Sequence, residues 1–149
     1  MSNARDIYVY DFDDTLVNTH EVLVQHRLLN RANELYINND LGIMISKWLK
    51  PYDKIWDEVV RTSKIGNNII LSGRSRSQIE YWLNLNNKIK LFRDIIGLDS
   101  RRNVATLKRI QLEKLASQNR KIYFYDDKIN NIEEAEQVPG VITFHVKHS

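Results

Sequence analysis

Three aspartates, Asp11, Asp13 and Asp14, crowd into four residues directly after a short apolar run, Ile7–Tyr10. Like charges at this spacing repel and raise one another's pKa, so a fold gains no stability by placing them together. They are either a solvated acidic turn or the ligands of something positive. The run before them is continuously apolar rather than alternating, the pattern of a parallel strand covered on both faces. That pattern returns at Asn67–Ser72 (NNIILS), at residues 121–125 (KIYFY) and at residues 141–146 (VITFHV), with Ile95 and Ile96 as a short further strand.

Helical patterns lie between these runs. Residues 53–64 carry Ile55, Trp56, Val59 and Val60 at helical spacing, and Arg76–Leu85 carries Ile79, Trp82 and Leu83 on one side. Residues 103–117 carry Val104, Leu107, Leu112 and Leu115, and residues 129–137 form a short acidic helix. Strands alternating with helices predict an α/β domain with a mainly parallel sheet. Right-handed crossovers put all strand C-termini on one edge, and ligands of such sheets bind just outside that edge. Residues 18–52 are less regular. Residues 21–36 read as one helix that is apolar nearly all round, Asn38-Asn39 and Gly42 interrupt it, and Pro51 precedes the next helix. The 149 residues match one domain, here 1–149 with a small helical insert at about 18–52.

Polar residues gather where the strands stop: Asp11, Asp13 and Thr15 after the first, Ser72-Gly73-Arg74 after the second, Asp126-Asp127 after the fourth. In a parallel sheet these ends meet in one crevice. Its carboxylates are tolerable if they share a hard cation, and Mg²⁺ is the expected one, since it takes carboxylate oxygens, keeps waters and accepts a phosphate oxygen. No histidine lies in these stretches and the chain has no cysteine, which disfavours zinc and excludes disulfides and thiolate nucleophiles. On the 103–117 helix, Lys108 falls inside the apolar stripe at about 100° per residue. A lysine pointing inward needs a negative partner, and the aspartate crevice supplies one; Lys88, Lys90 and Lys121 are weaker alternatives.

With these residues in place, Asp-Phe-Asp-Asp-Thr-Leu resembles the first motif (DxDxT) of the haloacid dehalogenase-like superfamily of phosphotransferases. Leu71-Ser72-Gly73-Arg74 resembles its second motif, Lys108 stands where the family places its lysine, and Asp126-Asp127 resembles its acidic fourth motif. The likeness spans almost the whole chain and implies a Rossmann-like three-layer sandwich with at most a small cap. It further implies phosphomonoester hydrolysis with Asp11 as nucleophile, through an aspartyl-phosphate, and Asp13 as general acid and then base. Ser72, Gly73, Arg74 and Lys108 would bind the phosphate, and Thr15 would orient the loop. Mg²⁺ would be held by Asp11, the Asp13 carbonyl and one or both of Asp126 and Asp127. Two departures stand out: Asp14 replaces the usual glycine, and Asn130-Asn131 stand where a further aspartate is common.

Ser-Gly-Arg, Tyr-Asp-Asp and the Trp48, Pro51, Trp56 pattern also resemble the phosphatase half of polynucleotide kinase-phosphatases. That second likeness implies a nucleotide or nucleic-acid phosphate end as substrate, with a small sugar phosphate or a non-catalytic binding module as alternatives. The net charge of +3 and pI of about 9.1 are compatible with such a partner. No apolar run approaches the roughly 20 residues of a membrane span, and no leader pattern opens the chain, so no membrane partner and a cytoplasmic location are expected. Trp48, Trp56 and Trp82 are expected in the core, and no role is expected of His145 or His148.

Overall fold

The computed structural model describes residues 5–117 and 120–148. Five strands, β1 Ile7–Tyr10, β2 Asn67–Ser72, β3 Asp94–Gly97, β4 Ile122–Asp126 and β5 Val141–His145, form one sheet in the order β3-β2-β1-β4-β5. Every pairing is parallel. The helices are α1 Thr19–Gln25, α2 Asn39–Ser46, α3 Asp53–Ile65, α4 Arg76–Leu85, α5 Val104–Ala116 and α6 Ile129–Ala135, with 3-10 turns at Leu29–Tyr36 and Ile89–Leu91. The strands and the helices from α3 onward lie where the apolar patterns place them, within two residues at either end.

Strand alternation divides the core into two layers. Tyr8, Tyr10 and Ile70 face one way and pack with Val59 of α3, Trp82 of α4 and residues of α1 and α2. Ile7, Val9, Ile69 and Leu71 face the other way and pack with Leu112 of α5 and Ile132 of α6. Both faces of β1 are therefore covered, which is why its sequence is apolar without a break. On the first face Tyr10 stacks on Tyr125 at 4.4 Å between ring centres, and its hydroxyl reaches Thr62 Oγ1 at 2.8 Å.

The chain between β1 and α3 is pinched at its base. Val17 bridges Pro51 in antiparallel fashion, Asn18 N–H donates to the Lys50 carbonyl at 3.1 Å, and Tyr52 N–H donates to the Leu16 carbonyl at 3.1 Å. Residues 21–36 do not form the single helix expected. α1 ends in a Schellman motif: Leu28 N–H donates to the Leu23 carbonyl and Arg27 N–H to the Val24 carbonyl, with Arg27 left-handed at φ 57°. Nor do Asn38 and Gly42 break a helix. Asn38 starts α2, its side chain accepting the Leu41 N–H at 3.1 Å, and Gly42 lies inside α2 against Gln78 of α4. Trp56 and Trp82 are core residues, whereas Trp48 is 36% exposed and stacks on His26. Among the described residues, no helix is long and apolar enough to cross a membrane.

Candidate active site

From β1 the chain builds outward to β2 and β3 on one side, then returns to place β4 and β5 on the other. The connection reverses beside β1, and a crevice opens at such a point beyond the strand C-termini. Asp11 N–H donates to the Tyr125 carbonyl at 2.9 Å, so the β1–β4 ladder runs one residue past β1 and sets Asp11 level with Asp126. Ser72 and Gly73 enter from the end of β2, and Lys108 from α5, into the same crevice of about 390 Å³.

Lys108 is 1% exposed. Its Nζ donates to Asp11 Oδ1 at 2.8 Å and to Asp126 Oδ2 at 2.7 Å. Burial alone would strip its charge, but the two carboxylates outweigh that and hold it protonated beyond the ordinary lysine range. Asp126 is heavily engaged: it also accepts Asn131 Nδ2 at 2.9 Å and the Lys128 N–H at 3.0 Å. Asp127 is less enclosed and accepts the Thr15 hydroxyl at 3.1 Å. That hydroxyl also lies 3.0 Å from Asp11 Oδ2; with one proton, it serves the two carboxylates in alternation. Burial, and then the Asp126 charge, push Asp11 well above the usual carboxylate range, with Lys108 opposing. Burial likewise raises Asp127.

Arg74 was expected at the phosphate, and the structure turns it elsewhere. It is 0% exposed, with Nη2 donating to Asp13 Oδ1 at 2.6 Å, Nε to Asp13 Oδ2 at 3.2 Å and Nη1 to Gln78 Oε1 at 3.2 Å. A guanidinium so deeply buried requires a carboxylate, and Asp13 provides both oxygens of a fork. Thr19 adds a hydroxyl to Asp13 Oδ1 at 2.5 Å. Burial would raise Asp13, but Arg74 and Thr19 reverse this and hold it below the usual range. Ser72 is buried too, its Oγ accepting the Arg74 N–H at 3.1 Å.

Asp14, at the position usually glycine, has φ 62°, a left-handed conformation that aspartate tolerates better than most residues. Its Oδ1 accepts the His20 N–H at 2.7 Å at the start of α1, and burial pushes its carboxyl up to about 6. Asn131 is the amide that donates to Asp126 and orients it. Several residues of the site lay outside the motifs. Arg101, Asn103, Lys128 and Asn130 line the crevice. His145 Nε2 meets the Asp127 carbonyl at 2.8 Å and His148 Nε2 the Thr15 carbonyl at 3.1 Å; His148 also stacks on Tyr52 at 3.5 Å. The two histidines thus tie the acidic loops to the end of β5 and to the segment after it.

One carboxylate oxygen each from Asp11, Asp126 and Asp127 fall within 4.8 Å of one another. The Asp13 carboxylate stands apart, bound to Arg74 and Thr19. The four carboxylates outnumber the two buried cations, Lys108 and Arg74, by two charges. An all-oxygen donor set with two negative charges in excess, and with burial already raising Asp11 and Asp127, fits a hard divalent cation such as Mg²⁺.

No protein-family model matches the sequence, and no curated protein matches it. Solved structures do match the fold. A HAD-superfamily hydrolase from Geobacter sulfurreducens superposes with a TM-score of 0.64 over 94% of this chain and 88% of its own, at 14% identity. The L-2-haloacid dehalogenase of Xanthobacter autotrophicus gives 0.65 over 93% and 76%, at 12% identity. A HAD-family enzyme of Bacteroides thetaiotaomicron, in complex with magnesium and inorganic phosphate, gives 0.62 over 97% and 95%, at 11% identity. The fold is that of the haloacid dehalogenase-like superfamily, as the strand-end motifs imply.

Proposed function

We propose that this chain is a Mg²⁺-dependent phosphomonoester hydrolase with Asp11 as nucleophile. The observation that carries this reading is the buried Lys108 ammonium spanning Asp11 and Asp126 at the crevice floor. It fixes one Asp11 oxygen and offsets part of the negative charge that a phosphoryl group would meet there. Mg²⁺, held by Asp11, Asp127 and the Asp13 carbonyl with Asp126 behind them, would neutralise phosphoryl oxygens when bound. Asp127 is the better ligand of the acidic pair, because Asp126 already accepts three hydrogen bonds.

Asp11 attacks phosphorus, the bond to the leaving oxygen breaks, and that oxygen takes a proton from Asp13; since Arg74 and Thr19 hold Asp13 ionised in the free protein, Asp13 first takes this proton from water or from a monoanionic phosphate ester. Water then attacks the aspartyl-phosphate, its proton passes to Asp13, and inorganic phosphate leaves with Asp11 restored. Both Asp13 oxygens are engaged, so a proton on Asp13 displaces one of these bonds, the longer one to Arg74 Nε. Ser72 and Lys108 steady the equatorial oxygens in both steps. A halide needs no proton on departure, whereas an alkoxide does; the placed Asp13 favours phosphate esters over the dehalogenation of the Xanthobacter enzyme.

The preferred substrate is a nucleotide or a nucleic-acid phosphate end, supported by Arg101 and Lys128 at the crevice and the net charge of +3. A small sugar phosphate is the second reading, favoured by a crevice of about 390 Å³, the size of a small-ligand site. The test is phosphate release from aryl phosphate, mononucleotides, sugar phosphates and oligonucleotides with 3′- or 5′-phosphate. Turnover that needs Mg²⁺, stops with chelator and is absent in Asp11→Asn is the expected result. Undiminished turnover in Asp11→Asn refutes the assignment, and the best substrate decides between the two classes.

A further inference from the structure

Carboxylates gather where the strands end, and cations gather where they begin. Asn67 N–H donates to the Asp6 carbonyl at 3.0 Å and Arg93 N–H to the Asn68 carbonyl at 2.8 Å, so the starts of β1, β2 and β3 lie side by side. Arg5 stands just before β1, Arg93 just before β3, and Lys90 on the 3-10 turn that leads into β3. All three are exposed, and all three border one cavity of about 200 Å³ together with Ser63, Asn67 and Asn68. No aspartate or glutamate borders that cavity. Asp94 is engaged with Arg76 and the Ile95 N–H. Among the described residues, no carboxylate forms an ion pair with Arg5, Lys90 or Arg93. Like charges gathered around one cavity repel, and the fold gains nothing from them until an anion arrives.

We propose that this cavity binds phosphate, and that its partner is the backbone of a nucleic-acid strand, held away from the crevice. Only the identity of the partner leans on the nucleic-acid form of the phosphatase reading. Two guanidinium groups and an ammonium suit phosphate oxygens, and the half-buried Asn67 amide adds N–H donors. β2 runs from this cavity at Asn67 to the crevice at Ser72, a span of about 17 Å at ~3.3 Å per residue. A sugar phosphate or a mononucleotide is too short to touch both; a polynucleotide reaches from one to the other around the sheet. The crevice itself holds two negative charges in excess, so the net charge of +3 is carried by the rest of the chain. A polyanion brought to such a crevice gains its affinity from cations elsewhere, and Arg5, Lys90 and Arg93 are placed to supply it.

The experiment is a binding titration on the whole chain, read by fluorescence anisotropy at several salt concentrations. The probe is a labelled single-stranded oligonucleotide without a terminal phosphate, so no step needs turnover and failure of the phosphatase reading leaves the test intact. Arg5→Gln, Lys90→Gln and Arg93→Gln combined are expected to weaken binding about 10- to 100-fold and to reduce the salt slope by about 2, three contacts at ~0.7 each. The control removes the same charge at three exposed lysines elsewhere, Lys47→Gln, Lys114→Gln and Lys147→Gln, and is expected to stay within about threefold of the parent, because exposed charges at a distance are screened. Equal weakening by the two triple variants, or no binding by the parent, overturns the site. Two further arms test the source of the phosphate. Inorganic phosphate, matched to chloride in ionic strength, is expected to compete weakly, since it replaces one contact of several; complete displacement by it would make a small free anion the ligand and overturn the nucleic-acid partner. Vesicles containing anionic lipid are expected to bind the parent less tightly than the oligonucleotide does. Tighter binding to vesicles that the first triple variant loses would assign a membrane surface instead and overturn the nucleic-acid partner as well.

Discussion

Lys108 and Arg74 are the two side chains on which the site's electrostatics turn. Each is buried and each is paired with an aspartate from the end of β1, but the sequence distinguishes them. Lys108 was legible because it interrupts an apolar helical stripe that points into the domain. Arg74 follows a strand in a Ser-Gly-Arg string, where an exposed phosphate ligand and a buried partner of Asp13 look alike; the pairing spans 61 residues and leaves no local trace. His145 and His148 were illegible for a related reason. They bind backbone carbonyls, and a carbonyl has no residue identity for a sequence pattern to display. Removing Lys108 is the sharpest perturbation at this scale. Lys108→Met keeps the length of the stem but leaves Asp11 and Asp126 buried without their cation. It is expected to destabilise the fold by about 3–5 kcal/mol in urea denaturation and to abolish phosphate release. A variant with unchanged stability would mean that the two carboxylates are neutral and that Lys108 does not balance them.

Between α2 and α4 the insert is joined to the site by close contact. A Cβ added to Gly42 would lie 2.1 Å from Gln78 Oε1. Gln78 is not free to move aside: its Nε2 donates to the Leu35 carbonyl at 2.8 Å, and its Oε1 accepts Arg74 Nη1 at 3.2 Å. Gly42→Ala therefore pushes on the residue that braces the Arg74–Asp13 pair. Helix propensity favours alanine by about 1 kcal/mol, but overpacking costs about 1–3 kcal/mol, so a net loss is expected in thermal denaturation, accompanied by reduced turnover. A stabilised, fully active Gly42→Ala would show that α2 stands off from α4. The insert was also where the sequence pattern misled. The apolar residues of 21–36 go nearly all the way round, so no stripe marks a helix face, and the Schellman end of α1 falls on Arg27 rather than on the glycine or asparagine that normally announces it. α4 ends the same way on Asn87, where the sequence does supply a favoured residue, and there the expected boundary agrees with the structure.

Across the whole molecule, the sheet brings to one edge residues that the chain keeps more than 100 positions apart: Thr15 and Asp127 share a hydrogen bond over 112. The architecture was legible because each strand is a continuous apolar run and each motif sits at a strand's end; the parallel sheet then does the gathering. The opposite layer contact, Glu58 of α3 on the Tyr125 hydroxyl at 2.9 Å, gives the fold a pH dependence away from the site. Hydrogen bonding to Arg61 lowers the Glu58 pKa, with burial opposing and Tyr125 assisting. A depressed carboxyl stabilises the folded state above its unfolded pKa, and this contribution fades as pH falls through the folded value. Stability should decline from about pH 5 downward, and Glu58→Gln should flatten that decline in denaturation profiles. An unchanged profile would place the acid sensitivity elsewhere.

The central claim is that Asp11 carries the phosphoryl group during turnover. The most direct measurement is a rapid denaturing quench of the enzyme with its best substrate and Mg²⁺, followed by mass analysis of the peptide that contains Asp11. One phosphoryl group on Asp11 in the parent, and none in Asp11→Asn, is the predicted result. A phosphoryl group on another side chain, or turnover that persists in Asp11→Asn, would contradict the account.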